Sequence, residues 1–128
     1  MTTLPSRHAL ILFAHGARDA RWAEPLTRIQ QMVKNQVDPS MQIHLAFLEL
    51  MSPSLPELTA KLISEQINKI TVVPIFLGQG GHVRRDLPAL LNQLSTEYST
   101  VQFHLAEAIG ENELVLDAIA SVCVACLK

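Results

Sequence analysis

The chain switches four times between short apolar runs that suit a strand and longer stretches in which apolar residues recur every three or four positions. "HALILFA" (8–14) is a continuous apolar run, as expected of a strand covered on both faces. Residues 22–36 follow the polar loop "HGARDAR" and set Trp22, Leu26, Ile29, Met32 or Val33, and Val37 at helical spacing. "MQIHLAFLEL" (41–50) reads as a second strand, and "SPSLPELTAKLISEQI" as a helix starting near Pro53 to Pro56, where a first turn tolerates proline. "KITVVPIFLG" (69–78) is a β-branched third strand. A third helix is expected after His82, carrying Leu87, Leu90, Leu91 and Leu94. "TVQFHLAEAIG" supplies a fourth strand and "ENELVLDAIASVCVACLK" a last helix.

Strands separated by helices of this length cannot pair as hairpins, so they are expected to form a parallel sheet with right-handed crossovers. The predicted fold is α/β, a four-stranded βαβαβαβα domain over residues 1–128, in the flavodoxin-like strand order 2-1-3-4. A chain of 128 residues has room for one core and little for a second. With 48% hydrophobic and 17% charged residues it is too apolar for a disordered segment.

The formal net charge of -2 excludes nucleic-acid binding through a general basic surface, so a basic site has to be local. The apolar run near the N-terminus covers about seven residues before polar ones follow, which fits a first strand and not a signal peptide. No stretch approaches the roughly 20 apolar residues of a membrane-spanning helix. Cys123 and Cys126 do not make a secreted disulfide framework. A cytoplasmic protein with no membrane partner is expected.

Open α/β sheets bind ligands beyond the carboxyl ends of their strands. The residues found there are His15, Glu49, His82 and Glu107. Two imidazoles and a carboxylate suit a borderline divalent metal such as iron, cobalt, nickel or zinc, whereas magnesium and calcium prefer oxygen alone. The same groups can move protons. Gly78, Gly80 and Gly81 allow positive φ or the close approach of a bulky ligand. Arg18, Arg21, Arg84 and Arg85 gather on the same rim, offering forked donors to carboxylates or phosphates.

Simpler roles exist for each group. A histidine after a strand can be a loop or capping residue, and the arginines can pair with Asp19 and Asp86. "GQGGH" lacks the G-K-[ST] ending of a phosphate loop. His8, His44 and His104 lie in or at the start of strands and are expected to be structural. Cys123 and Cys126 sit at the C-terminal end of the last helix, the wrong end for a redox pair, and are expected on a buried face.

"HGARD" after the first strand, "AFLELMSPSL" through the second and "VVPIFLGQGGHVRRDLP" through the third resemble the short class II sirohydrochlorin chelatases, the CbiX/SirB-type cobalto- and ferrochelatases. The similarity runs from about residue 8 to 110. It implies insertion of a divalent metal (cobalt, iron or nickel) into sirohydrochlorin, as a substrate ion and with no organic cofactor, in cobalamin- or siroheme-type biosynthesis. It assigns His15, Glu49 and His82 to metal binding and catalysis, and Arg18, Gly80, Gly81, Arg84 and Arg85 to the carboxylate-rimmed macrocycle. Ala17 stands where the family usually has serine. Longer members are two similar halves facing each other over a cleft, so a homodimer of this single half is expected. A non-catalytic metal or tetrapyrrole carrier is the alternative. A flavodoxin-like phosphate-ligand module is more remote.

Overall fold

The computed structural model describes residues 7–78 and 80–128, with the side chain of His82 outside the described set. Strand β1 (His8–Ala14) is followed by a 3-10 turn (Ala20–Ala23) and helix α1 (Glu24–Lys34). Then come β2 (Gln42–Phe47), α2 (Leu55–Ser64), β3 (Lys69–Pro74), α3 (Gly81–Glu97), β4 (Gln102–Leu105), a second 3-10 turn (Ile109–Glu111) and α4 (Glu113–Ala125). The sheet has the order β2-β1-β3-β4 with every pairing parallel, as the sequence predicts.

Local chemistry sets the boundaries. The Ser54 hydroxyl accepts from the Glu57 amide while the Glu57 carboxylate accepts from the Ser54 amide, a capping box that starts α2 one residue before Pro56. Asp19 accepts from the Arg21 amide and opens the first 3-10 turn. The strands β2, β3 and β4 are shorter than the apolar runs that announce them, because the last residues of each run leave the ladder to form the loops at its carboxyl end. Backbone bonds nevertheless carry the β1–β2 pairing past its end: the Leu48 amide donates to Ala14 (2.9 Å) and the Glu49 amide to His15 (3.1 Å).

Register divides the side chains between two faces. Ala9, Ile11, Phe13, Ala46, Ile70 and Val72 point to the side covered by α2 and α3, where they join Leu55, Leu58, Leu62, Leu87, Leu91 and Leu94 in the main core. The other side has a smaller cluster of Ala14, Ala23, Leu26 and Phe47 beneath α1. This asymmetry follows from the topology. The β1-to-β2 crossover steps one way along the sheet and the next two step the other way, so right-handed crossovers place α1 opposite α2 and α3.

Three expectations are corrected here. The helix α3 begins at Gly81, so His82 lies in its first turn and not in the loop before it. On α1, Trp22 in the preceding turn, Ile29 and Met32 are exposed, and Leu26 alone of the helix is buried. Cys123 and Cys126 are both exposed, because α4 packs no side chain into the core.

Candidate functional site

The carboxyl ends of β1 and β2 are joined by one close backbone contact. Gly16 has φ +97, and a Cβ placed there would collide with the carbonyl oxygen of Glu49. Only glycine combines that left-handed conformation with that approach. The Glu49 amide meanwhile donates to the His15 carbonyl. Leu50, also at positive φ, turns the chain away immediately afterwards. As a result the His15 Nε2 and Glu49 Oε1 atoms lie 3.5 Å apart, each side chain about half exposed (52% and 56%). An imidazole and a carboxylate so placed can share a proton or face a common cation.

The third predicted ligand, His82, has its backbone in the first turn of α3, and its imidazole lies outside the described residues. Among the described residues no group of three His, Cys, Asp or Glu side chains is gathered for a metal ion. Glu107 is exposed in the segment after β4, where it lines a cleft together with Arg84 and Glu111. His8 and His44 are half-buried and occupied elsewhere, His8 with the Thr71 hydroxyl (2.8 Å) and His44 with the Gln42 side chain (2.9 Å).

The glycines after β3 work differently from the expectation of positive φ. A Cβ at Gly78, Gly80 or Gly81 would meet nothing within 4 Å, and Gly80 has φ -65. The fold itself does not demand glycine there, and the space above them is open to a ligand. Gly80 precedes α3 without a side-chain cap, so the first amides of that helix have no side-chain acceptor from it and favour an anion.

The arginines divide. Arg21 is held by Asp19 at 2.8 Å and Arg85 lies 3.7 Å from Asp86, the pairings the sequence offers as the simpler role. Arg84 reaches across to Glu111 in the second 3-10 turn (3.3 Å). Arg18 is exposed and has no ion-pair partner among the described residues. Sequence reading misses Glu111, because nothing in the local pattern links it to a residue 27 positions earlier. It also misses the apolar character of the rim: Leu48, Leu50 and Leu77 are all exposed at the ends of β2 and β3. A leucine at the end of an apolar run looks like core until the strand is seen to have stopped.

Among the described residues, two clefts lie at this end, and both are small. One of about 350 Å³ lies between α3 and the end of β4, with Arg84 and Glu111 in its wall, and another of about 80 Å³ lies beside Phe13, Leu48 and Val83. Depressions along Glu24–Gln31 and around Lys34–His44 are lined by none of the candidate site residues.

Residues 9–124 match the CbiX family. The chain belongs to that family. A CbiX protein of known structure from Marinobacter aquaeolei VT8 superposes with a TM-score of 0.80 and 35% identity, covering 94% of this chain and 97% of the other. The sirohydrochlorin cobaltochelatase of Methanococcus aeolicus is 30% identical over 89 residues, which are 70% of this chain and 62% of that relative's length. The sirohydrochlorin chelatase SirB of Bacillus subtilis subspecies spizizenii, solved in complex with cobalt, shares the fold at a TM-score of 0.73 and 22% identity. This chain covers 49% of SirB, so one SirB polypeptide is about twice as long as the unit described here.

Proposed function

We propose that this CbiX-family chain inserts a divalent metal ion, cobalt, iron or nickel, into sirohydrochlorin in the cytoplasm, with no organic cofactor. The observation that carries the proposal is the imidazole of His15 held 3.5 Å from the carboxylate of Glu49 at the carboxyl ends of adjacent parallel strands. Insertion exchanges two pyrrole N–H protons for one dication. It therefore needs a donor that holds the ion and a base that receives protons. His15 and His82 are assigned to the ion, while Glu49 with one imidazole accepts the protons as ring nitrogens replace water on the metal. Glu49 is the residue a carrier would not need.

Arg18, Arg84 and Arg85 are assigned to the substrate's carboxylate arms. Open space above Gly80 and Gly81 and the exposed leucines at positions 48, 50 and 77 suit the flat ring. A ring of that size needs walls on both sides, and the two clefts at this end among the described residues, of about 350 and 80 Å³, are too small to enclose it. The working unit is accordingly a homodimer with two copies of the site in one cavity. Absorbance spectra of purified protein with sirohydrochlorin and Co²⁺, Fe²⁺ or Ni²⁺ in turn, against a no-enzyme control, provide the test. Accelerated formation of the metallated chromophore is expected. Tight binding at the uncatalysed rate would leave the carrier reading in its place.

A further inference from the structure

The start of α3 has little local chemistry to hold it. Helix α2 opens on the Ser54–Glu57 capping box, and α4 on Asn112, whose side chain accepts from the Leu114 amide (2.9 Å). The residue before α3 is Gly80, which has no side chain to offer, and a Cβ at Gly80 or Gly81 would touch nothing. The Arg84 amide closes the first turn on the Gly80 carbonyl (3.1 Å). Alongside that turn a cleft of about 350 Å³ separates α3 from the end of β4. An uncapped helix end beside a cleft frays unless something outside the helix ties it.

The tie comes from the 3-10 turn Ile109–Glu111. The Gly110 amide donates to the Phe76 carbonyl (2.9 Å), and a Cβ on Gly110 would collide with the carbonyl of Leu77. Only glycine lets the turn sit this close to the chain leaving β3. One residue on, the Glu111 carboxylate takes the Arg84 guanidinium across the cleft (3.3 Å). The turn therefore grips the chain on both sides of the glycines, at Phe76 and Leu77 before them and at Arg84 after them. His82 has its backbone between these two grips, two residues ahead of Arg84 in the same helical turn.

Resting on the assignment of His82 to the ion, we infer that Glu111 is a positioning residue for metal binding: through Arg84 it holds the first turn of α3, and with it the backbone from which His82 reaches the ion. Carboxylate and guanidinium cancel in charge, so the value of the pair lies in geometry. The arms of an anionic ring draw on the same guanidinium. Ion binding and ring binding should consequently respond to Glu111 in opposite directions.

Cobalt titration of the purified chain without tetrapyrrole, followed by visible absorbance, separates the ion from the ring. His82→Ala is expected to remove one binding step, and that step is compared among the variants. Arg84→Gln and Glu111→Gln alter side chains that are 67% and 49% exposed, so the fold should survive, which circular dichroism checks. Each should raise the Kd of that step by about 1.5- to 5-fold, the range of an exposed ion pair. The double variant should be no weaker than the weaker single, because the two residues act as one unit. The sign at Arg84 decides between geometry and field. A field effect alone would make Arg84→Gln, which deletes a positive charge, bind cobalt more tightly and Glu111→Gln less tightly, and that pattern overturns the inference. An unchanged Kd in both singles, or losses that add in the double, overturns it too. Steady-state kinetics supplies a second readout: in Glu111→Gln the KM for sirohydrochlorin should fall while the KM for cobalt rises. Both rising together would overturn a selective hold on the ion site. If His82→Ala binds cobalt as tightly as the unaltered chain, the metal-site assignment fails and the inference falls with it. The expected cobalt pattern in a chain that fails the insertion assay counts against the chelatase proposal alone.

Discussion

Gly16 stands with its α-carbon against the carbonyl oxygen of Glu49, and through this contact the chain holds the His15 imidazole beside the Glu49 carboxylate. Glycine here answers two demands at once, φ +97 and the absence of a Cβ. Gly16→Ala is therefore expected to cost about 1–3 kcal/mol of stability and to lower the melting temperature by roughly 5–15 °C. Insertion at a temperature where the variant is still folded should fall as well, since the two loops must separate. Calorimetry together with the absorbance assay checks both, and an unperturbed melting point would show that the loops yield without strain.

His15→Ala and Glu49→Gln remove half-exposed side chains, so each should change stability by no more than about 0.5 kcal/mol. Their effects on chemistry should differ. His15→Ala is expected to bring insertion close to background by losing the ion. Glu49→Gln is expected to lower kcat by about 10²- to 10⁴-fold while much of the substrate affinity survives, as befits a lost proton acceptor. Equal kcat in wild type and Glu49→Gln would assign the protons elsewhere.

Arg84 is already engaged by Glu111 in the absence of substrate. An anionic ring has to compete with that carboxylate. Glu111→Gln should consequently lower KM by about 1.5- to 5-fold, the size of an exposed ion pair, and Arg84→Ala should raise KM with little change in kcat. Both differences should shrink as salt increases. Steady-state kinetics at two ionic strengths decides; a KM that rises in Glu111→Gln would make the pair a structural brace for the substrate loop.

His44 and His8 predict the acid side of the stability profile. Burial holds the His44 imidazole below its ordinary 6.5, with Lys61 and Lys34 adding to the effect and Glu65 opposing it. Burial and then Lys69 do the same for His8. Between the lowered folded values and 6.5 the unfolded chain binds more protons than the folded one, so stability is complete above 6.5 and is lost as pH falls through that window. Urea unfolding at pH 7.5 and 5.5 should show the loss, and His44→Gln should reduce it. A profile flat over that range, or rising toward acid, would contradict the assigned environments.

Parallel sense and the bounds of β1 could be read from the chain because each rests on a strong local signal, a connection too long for a hairpin and an unbroken apolar run; the strand order has no such signal and matched only by analogy with the flavodoxin-like pattern. The position of His15 one residue past β1 followed from that apolar run. The start of α3 was illegible because glycines at positions 80 and 81 weaken any helical pattern, while Gly80 in fact serves as the cap and Pro88 is accommodated inside the helix. The pairing of Arg84 with Glu111 depends on β4 returning beside α3, a tertiary event without a local trace. Cys123 and Cys126 were misread for a related reason. Periodicity reports that a helix has apolar residues, and it is silent on whether the surface that would cover them belongs to the same chain.

The main core closes α2 and α3 onto one side of the sheet, whereas α4 keeps Leu114, Leu116, Ile119, Val122, Val124 and Leu127 exposed. Asp117 is the only charge along the fourteen residues from Leu114 to Leu127 to discourage a wrong companion. A newly made chain can thus finish its core and still carry an adhesive surface, so the yield of folded protein should depend on what the chain meets first as well as on how fast it folds.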